Sequence, residues 1–135
     1  MSKRKILVVD DEEKFCAMLK ANLEKEGQEV RTETKGAQAL ASAQAFRPDV
    51  VIMDIFMPDL GGCEAAYQIK NDPKLKNVPI IFLTAIAKKN ESEIYGGLVD
   101  GRPFIAKPVI GKPVKTKDLI KAIEENLAKS SDPLA

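Results

Sequence analysis

The sequence predicts an α/β protein built on one doubly wound, five-stranded parallel sheet with helices on both faces, a three-layer sandwich. Short apolar runs alternate with helical patterns along the chain, which is typical of repeated βαβ units. Four of these runs are followed directly by polar residues, as expected where parallel strands end at a ligand-binding edge. With 135 residues, the chain is predicted to form a single domain over 1–127 and a flexible tail over 128–135.

Five segments are predicted to be strands. Three are almost continuously apolar and are therefore predicted to be buried, and a fourth, more polar one is placed near an edge. The fifth is brief and is placed at an edge, because proline is tolerated only at a strand start or an edge. The segments are 4–9, 28–33, 49–54, 78–83 and the run that Pro103 introduces. Right-handed crossovers favour the strand order 2-1-3-4-5, which sets the ends of the first and third strands side by side.

Helices are predicted between the strands. Apolar residues at helical spacing, with glycine, proline and capping signals at the ends, predict four of them at 12–26, 35–46, 63–70 and 116–127. Asn90 and Glu93 resemble a capping box that opens another helix after the fourth strand. Gly96-Gly97 interrupts that helix, at roughly 1 kcal/mol per glycine relative to alanine, so it is predicted to be short and marginal.

The residues that follow the strands carry the predicted chemistry. Asp10-Asp11, Asp54, Thr84 and Lys107-Pro108 each come directly after an apolar run. Clustered carboxylates repel by roughly 4 kcal/mol per close pair, so they are expected to recruit a cation, and oxygen ligands favour Mg²⁺ or Mn²⁺. Asp54 is then the predicted acceptor of a phosphoryl group, to which Thr84 offers a hydroxyl and Lys107 a positive charge.

Composition narrows the function. A net charge of +1 gives no broad basic surface for direct binding of nucleic acid. The longest apolar runs are too short to span a bilayer and the N-terminus has no signal-peptide pattern, so a cytoplasmic protein without a membrane partner is expected. Two cysteines without ligand spacing predict no metal or redox role. The chain has no histidine, so any phosphohistidine donor must be another protein.

Taken singly, an acid, a threonine or a lysine after a strand is commonly a cap or a turn residue. In this order and at this spacing, the residues resemble the receiver domain of bacterial two-component response regulators, of the stand-alone, chemotaxis-regulator-like kind with a flavodoxin-like fold. The resemblance covers about 3–127. Four segments carry it: Ile6–Glu12, Asp49–Pro58, Pro79–Ala85 and Phe104–Pro108.

The resemblance implies roles for individual residues. Asp54 would accept phosphate from a sensor histidine kinase or a histidine phosphotransfer protein. The metal ligands would be Asp10, Asp11, Asp54 and the backbone carbonyl of Phe56. Thr84 and Lys107 would bind the phosphoryl group, and Thr84 and Phe104 would form the switch.

The resemblance also implies a regulatory phosphoacceptor that catalyses only its own phosphorylation and dephosphorylation. Phosphorylation would change the surface formed by the family's fourth helix, fifth strand and fifth helix, which contacts a downstream protein. The protein would be a monomer or a weak dimer on phosphorylation. If the chain is complete, it would act alone or as a phosphotransfer intermediate.

This chain departs from the family pattern near its C-terminus. The residues before the switch aromatic, 100–103, differ from the usual ones. Lys112-Pro113 is a second Lys-Pro pair five residues after the first, and Ile110–Lys115 is interpreted as an insertion before the last helix.

Three other functions are less well supported. A haloacid-dehalogenase-type phosphatase needs a second Asp two residues after its nucleophile, where this chain has Glu12 after Asp10. A flavodoxin-like electron carrier needs hydroxyl donors for the flavin phosphate after the first strand, where this chain is acidic. A degenerate receiver that only binds a partner would not need Asp54, Thr84 and Lys107 together.

Overall fold

The computed structural model describes residues 3–84, 96–99, 102–105, 109–112 and 114–130. The strands are β1 (Lys5–Val9), β2 (Glu29–Glu33), β3 (Val50–Asp54), β4 (Ile80–Thr84), β5 (Gly96–Val99), β6 (Arg102–Ile105) and β7 (Val109–Gly111). The helices are α1 (Glu13–Lys25), α2 (Ala39–Phe46, preceded by a 3₁₀ turn at Gly36–Gln38), α3 (Gly62–Lys70) and α4 (Thr116–Ser130). None of the helices in the described ranges combines the length and apolar character needed to cross a membrane.

The main sheet is parallel throughout, with the order β2-β1-β3-β4-β7. This confirms the predicted α/β architecture and the predicted order 2-1-3-4-5, with β7 as the fifth strand. The central strands β1 and β3 are joined by pairs such as Val9 with Met53. Asp10 and Asp54 therefore emerge together at the carboxyl edge.

Both faces of the sheet are covered, which explains why the runs Ile6–Val9 in β1 and Val50–Met53 in β3 are continuously apolar. Because side chains alternate across a strand, Leu7 and Val9 face one core and Ile6 and Val8 face the other. The first core is closed by small and apolar residues of α2 and α3, the second by apolar residues of α1 and α4. The two cores hold the strand ends in fixed positions.

The predicted position of the fifth strand is wrong. Phe104 lies in β6, which pairs antiparallel with β5 in a separate two-stranded sheet, where Gly97 pairs with Phe104. The strand beside β4 is β7, in which Val109 pairs with Phe82. The interpretation of Ile110–Lys115 as an insertion is therefore also wrong, because Ile110 and Gly111 belong to the main sheet.

The reason is a local hairpin. Val99 pairs with Arg102, so Asp100 and Gly101 are the two residues between the strands, and Asp-Gly is a strong signal for a tight hairpin turn. Segment 102–105 thus has a partner nearby in sequence, and the next apolar segment joins β4. Ile110 then packs against the core that α1 and α4 cover.

Two further differences concern helices. The helix predicted from Asn90 falls in 85–95, outside the described residues, and Gly96-Gly97 lies in β5. The last helix extends to Ser130, three residues beyond its predicted end, while 131–135 lie outside the described residues.

Candidate functional site

Three carboxylates meet at the carboxyl edge of the sheet. Asp10 and Asp11 follow β1, Asp54 ends β3, and one oxygen of each lies within 4.8 Å of the others. Asp10 and Asp54 are buried and Asp11 is exposed. The structure therefore brings together the three acids predicted as metal ligands. Their hard oxygen donors fit Mg²⁺ or Mn²⁺.

Backbone hydrogen bonds fix the acidic residues. The amide of Asp10 donates to the carbonyl of Glu33 at 3.0 Å, which ties the end of β1 to β2. The Oδ1 atom of Asp10 accepts a hydrogen bond from the amide of Glu12 at 2.9 Å, at the start of α1. The Oδ2 atom of Asp10 faces the site instead, where it forms an ion pair.

A close backbone approach fixes Asp54. The amide of Gly62, at the start of α3, donates to the carbonyl of Ile55 at 2.8 Å. A side chain on Gly62 would overlap the carbonyl of Asp54, so only glycine allows the loop to return this closely to β3. The amide of Ile55 in turn donates to the carbonyl of Leu83 at 3.0 Å, so the end of β3 is held from both sides.

Lys112 brings a positive charge to the site. Its Nζ atom lies 2.6 Å from Oδ2 of Asp10, 3.0 Å from Oε1 of Glu12 and 3.8 Å from Oδ2 of Asp54. The same atom lies 4.4 Å from the centroid of the Phe15 ring. Only 9% of the Lys112 side chain is exposed, so these groups replace most of the water around the ammonium.

The charges perturb one another. Burial, and then the neighbouring charge of Asp10, raise the pKa of Asp54 from 3.8 to about 7. Burial also raises the pKa of Asp10 despite its ion pair with Lys112. Burial alone would lower the pKa of Lys112, but its bonds to Asp10 and Glu12 outweigh that and raise it. A divalent cation would relieve the repulsion between the two buried carboxylates.

The other residues predicted for the site lie in different parts of the structure or outside the residues it describes. Thr84 is the last residue of β4 and pairs with Gly111, the residue before Lys112, so its backbone lies beside the site. Phe56 follows Asp54 by two residues and is 47% exposed. Phe104, the predicted switch aromatic, is in the hairpin rather than in the main sheet. Lys107 lies outside the described residues.

Lys112 is the residue that sequence reasoning missed, and two signals could have found it. One is the Asp-Gly turn, which assigns the segment before Lys107 to a hairpin. The other is that Lys112 follows the apolar segment Val109–Gly111 and precedes Thr116, the first residue of the last helix, by only four positions.

The fold and the acidic edge define a doubly wound α/β domain with three carboxylates that could hold a metal ion. The chain matches the family model of the response regulator receiver domain over residues 6–124. It belongs to this family, the phosphate-accepting domains of two-component systems.

Relatives agree with this assignment. Protein PilH of Pseudomonas aeruginosa is 36% identical over 124 residues, which cover 92% of this chain and 98% of PilH. The phosphate regulon transcriptional regulatory protein PhoB of Rhizobium meliloti is 36% identical over 93% of this chain. That match covers only 53% of PhoB, so this chain spans about half the length of that relative.

Solved structures show the same fold. The receiver domain of sensor histidine kinase PA1611 from Pseudomonas aeruginosa superposes with a TM-score of 0.78 and 28% identity, over 94% of this chain and 99% of that one. That structure has a magnesium ion coordinated in its active site cleft. Chemotaxis protein CheY4 of Vibrio cholerae gives 0.76 and 29%, over 92% of this chain and 98% of its own.

Proposed function

We propose that Asp54 is the phosphoacceptor of this receiver domain and that Lys112 binds the incoming phosphoryl group. One observation carries the proposal: the buried Asp54 carboxylate lies between two further acids and a lysine ammonium 3.8 Å away. Thr84, at the end of the next strand, is the proposed hydroxyl donor. In this proposal Lys112 takes the role that the sequence assigned to Lys107.

The proposed step is a transfer between a partner's phosphohistidine and Asp54. A carboxylate oxygen of Asp54 forms a bond to phosphorus while the bond from phosphorus to the imidazole nitrogen breaks, and the imidazole keeps the electron pair. Asp10, Asp11, Asp54 and the backbone carbonyl of Phe56 would hold Mg²⁺ or Mn²⁺, which supplies charge neutralisation. Lys112 places a second positive charge beside the phosphoryl oxygens, and Glu12 keeps that ammonium near the edge.

The protein is proposed to act as a regulator and not as a turnover enzyme. Its donor would be a sensor histidine kinase or a histidine phosphotransfer protein, since the chain itself has no histidine. Its output would be contact with a downstream protein, without direct binding of nucleic acid, as a monomer or a weak dimer.

The test is labelling with acetyl phosphate and Mg²⁺, followed by intact-mass analysis. We expect one added phosphate per chain and none in Asp54→Asn. Asp49→Asn is the matched control, because Asp49 is an exposed acid just before the other end of β3. Labelling of Asp54→Asn at another residue would refute the assignment. Sustained hydrolysis of a phosphate ester by the wild type would instead favour the phosphatase alternative.

The switching surface has its own test. The segment from Thr84 to Phe104 is proposed to reorganise most, since it joins the end of β4 at the site to the hairpin. Hydrogen exchange with and without beryllofluoride, a phosphoryl mimic, should change more over 90–104 than over 15–26. Equal changes in the two segments would contradict this proposal.

A further inference from the structure

The ring of Phe15 lies directly against the site lysine. Phe15 is in the first turn of α1, and its ring centroid is 4.4 Å from Nζ of Lys112. A cation within about 6 Å of an aromatic centroid is attracted by the negative face of the ring. The attraction is stronger when the cation is desolvated, and the Lys112 side chain is 91% buried.

Packing fixes both members of this pair. Phe15 is half-buried and packs against the core cluster between the sheet, α1 and α4. Ile110 and Val114, on either side of Lys112 in the chain, pack against the same cluster. The ring and the chain on either side of the lysine therefore pack against the same core, so the position of the ring limits where the ammonium can go.

The attraction between the Phe15 ring and the Lys112 ammonium is most important when a divalent cation is bound at the site. Lys112 forms its shortest contact, 2.6 Å, with Oδ2 of Asp10, and Asp10 is also one of the three proposed metal ligands. Two cations compete for that carboxylate and repel each other. The attraction of the Phe15 ring does not depend on Asp10, so it remains when the carboxylate is taken.

We infer that Phe15 is a positioning residue for phosphoryl transfer: its ring keeps the Lys112 ammonium beside Asp54 when Asp10 binds the metal. This inference rests on the proposed function, because it assigns Lys112 a role in the transfer. Phe15 touches neither phosphorus nor metal and acts only through the lysine.

The first test changes the negative charge on the face of the ring, first with the shape of the ring nearly unchanged and then by replacing the ring. Phe15 is replaced by phenylalanine with one, two and three ring fluorines, which weakens the negative face stepwise, and also by Leu and Trp. The rate of labelling by acetyl phosphate at saturating Mg²⁺ should fall with each fluorine and drop by about three- to thirty-fold in Phe15→Leu. Phe15→Trp should be at least as fast as the wild type.

Two controls separate positioning from stability. Phe46→Leu removes the matching ring beside Lys5, where the distance from Nζ to the centroid is 5.3 Å, and it should leave the labelling rate within two-fold. In the Lys112→Met background the fluorine series should have no effect, because the ring then has no cation to hold. A flat fluorine series in the wild-type background, or an equal fall in the Lys112→Met background, would overturn the inference.

A second measurement does not use labelling. In protein with ¹³C-labelled lysine, the Hε protons of Lys112 should be shifted upfield by the ring. The shift should vanish in Phe15→Leu, remain in Phe46→Leu, and persist with Mg²⁺ and beryllofluoride bound. Loss of the shift on loading would overturn the inference. If the wild type is not labelled at Asp54 at all, the proposed function fails; if it is labelled and Phe15→Leu is equally fast, only the inference fails.

Discussion

Lys112→Met, with Lys107→Met as its matched control, tests which of the two lysines binds the phosphoryl group. Methionine keeps much of the side-chain length and removes the charge. The ammonium of Lys112 lies 3.8 Å from the Asp54 carboxylate, and two unit charges about 4 Å apart attract by about 4 kcal/mol at an effective dielectric constant near 20. Desolvation of the ammonium offsets part of this attraction.

We therefore expect Lys112→Met to lose about 2–3 kcal/mol of transition-state stabilisation, which corresponds to a labelling rate roughly 30- to 150-fold slower. The affinity for Mg²⁺ should change in the opposite direction. Lys112 occupies Oδ2 of Asp10 at 2.6 Å and so competes with the metal. Removing it should tighten Mg²⁺ binding by roughly ten-fold, about 1.4 kcal/mol.

Labelling by acetyl phosphate gives the rate, and calorimetric titration gives the metal affinity. Lys107→Met should match the wild type in both measurements. The reverse result, a slow Lys107→Met and a normal Lys112→Met, would show that the segment before Lys107 is the fifth strand in solution. It would refute the pairing of β7 with β4.

Three other expectations can be tested on purified protein. Burial raises the pKa of Asp54 from 3.8 to about 7, so between these values the folded, metal-free protein holds a proton that the unfolded chain has lost. In urea denaturation, the free energy of unfolding of the metal-free protein should fall by up to about 4 kcal/mol as the pH rises from 4 to 7. Saturating Mg²⁺ should remove this fall. A free energy of unfolding that does not change with pH in the metal-free protein would contradict the prediction. Gly62→Ala should cost about 3 kcal/mol of stability because its Cβ would overlap the carbonyl of Asp54. In Gly61→Ala the Cβ would lie 3.6 Å from the carbonyl oxygen of Ile55, an ordinary contact distance, so this change should be near neutral. Phe56 and Ile86 follow Asp54 and Thr84 by two positions in the sequence, and polar side chains at these positions are proposed to orient the water that attacks the phosphoryl group. Phe56→Asn with Ile86→Glu should therefore speed loss of the phosphoryl group by roughly ten-fold, about 1.4 kcal/mol; phosphate decay no faster than in the wild type would exclude this.

The sequence predicted most of the sheet because its central strands are buried on both faces. Val50–Met53 and Ile6–Val9 are apolar and buried at every position, and Asp54 and Asp10 follow them directly. Once the strands are parallel and adjacent, these acids must meet at one edge. Local sequence therefore determined the acidic half of the site.

The sequence signals that point to Lys112 are weaker, because a rival segment ends in the same dipeptide. Phe104–Pro108 and Val109–Pro113 are both short apolar segments that end in Lys-Pro, so either could be the fifth strand by pattern alone. The Asp-Gly pair at 100–101 is a turn signal in the sequence. It predicts a hairpin only if the residues before it form a strand that can pair with 102–105, as β5 does. That is a property of the packed chain.

The sequence by itself determined the family, the first four strands and the acidic residues of this protein, because these strands carry a buried apolar pattern and the acids follow two of them directly in the chain. Only the tertiary structure showed that Lys112 lies near Asp54 and that a phenylalanine of α1 lies against this lysine. Lys112 meets Asp10 across 102 positions of sequence and Phe15 across 97. Such contacts arise from the docking of β7 and α1 on the same core, and no local pattern encodes them.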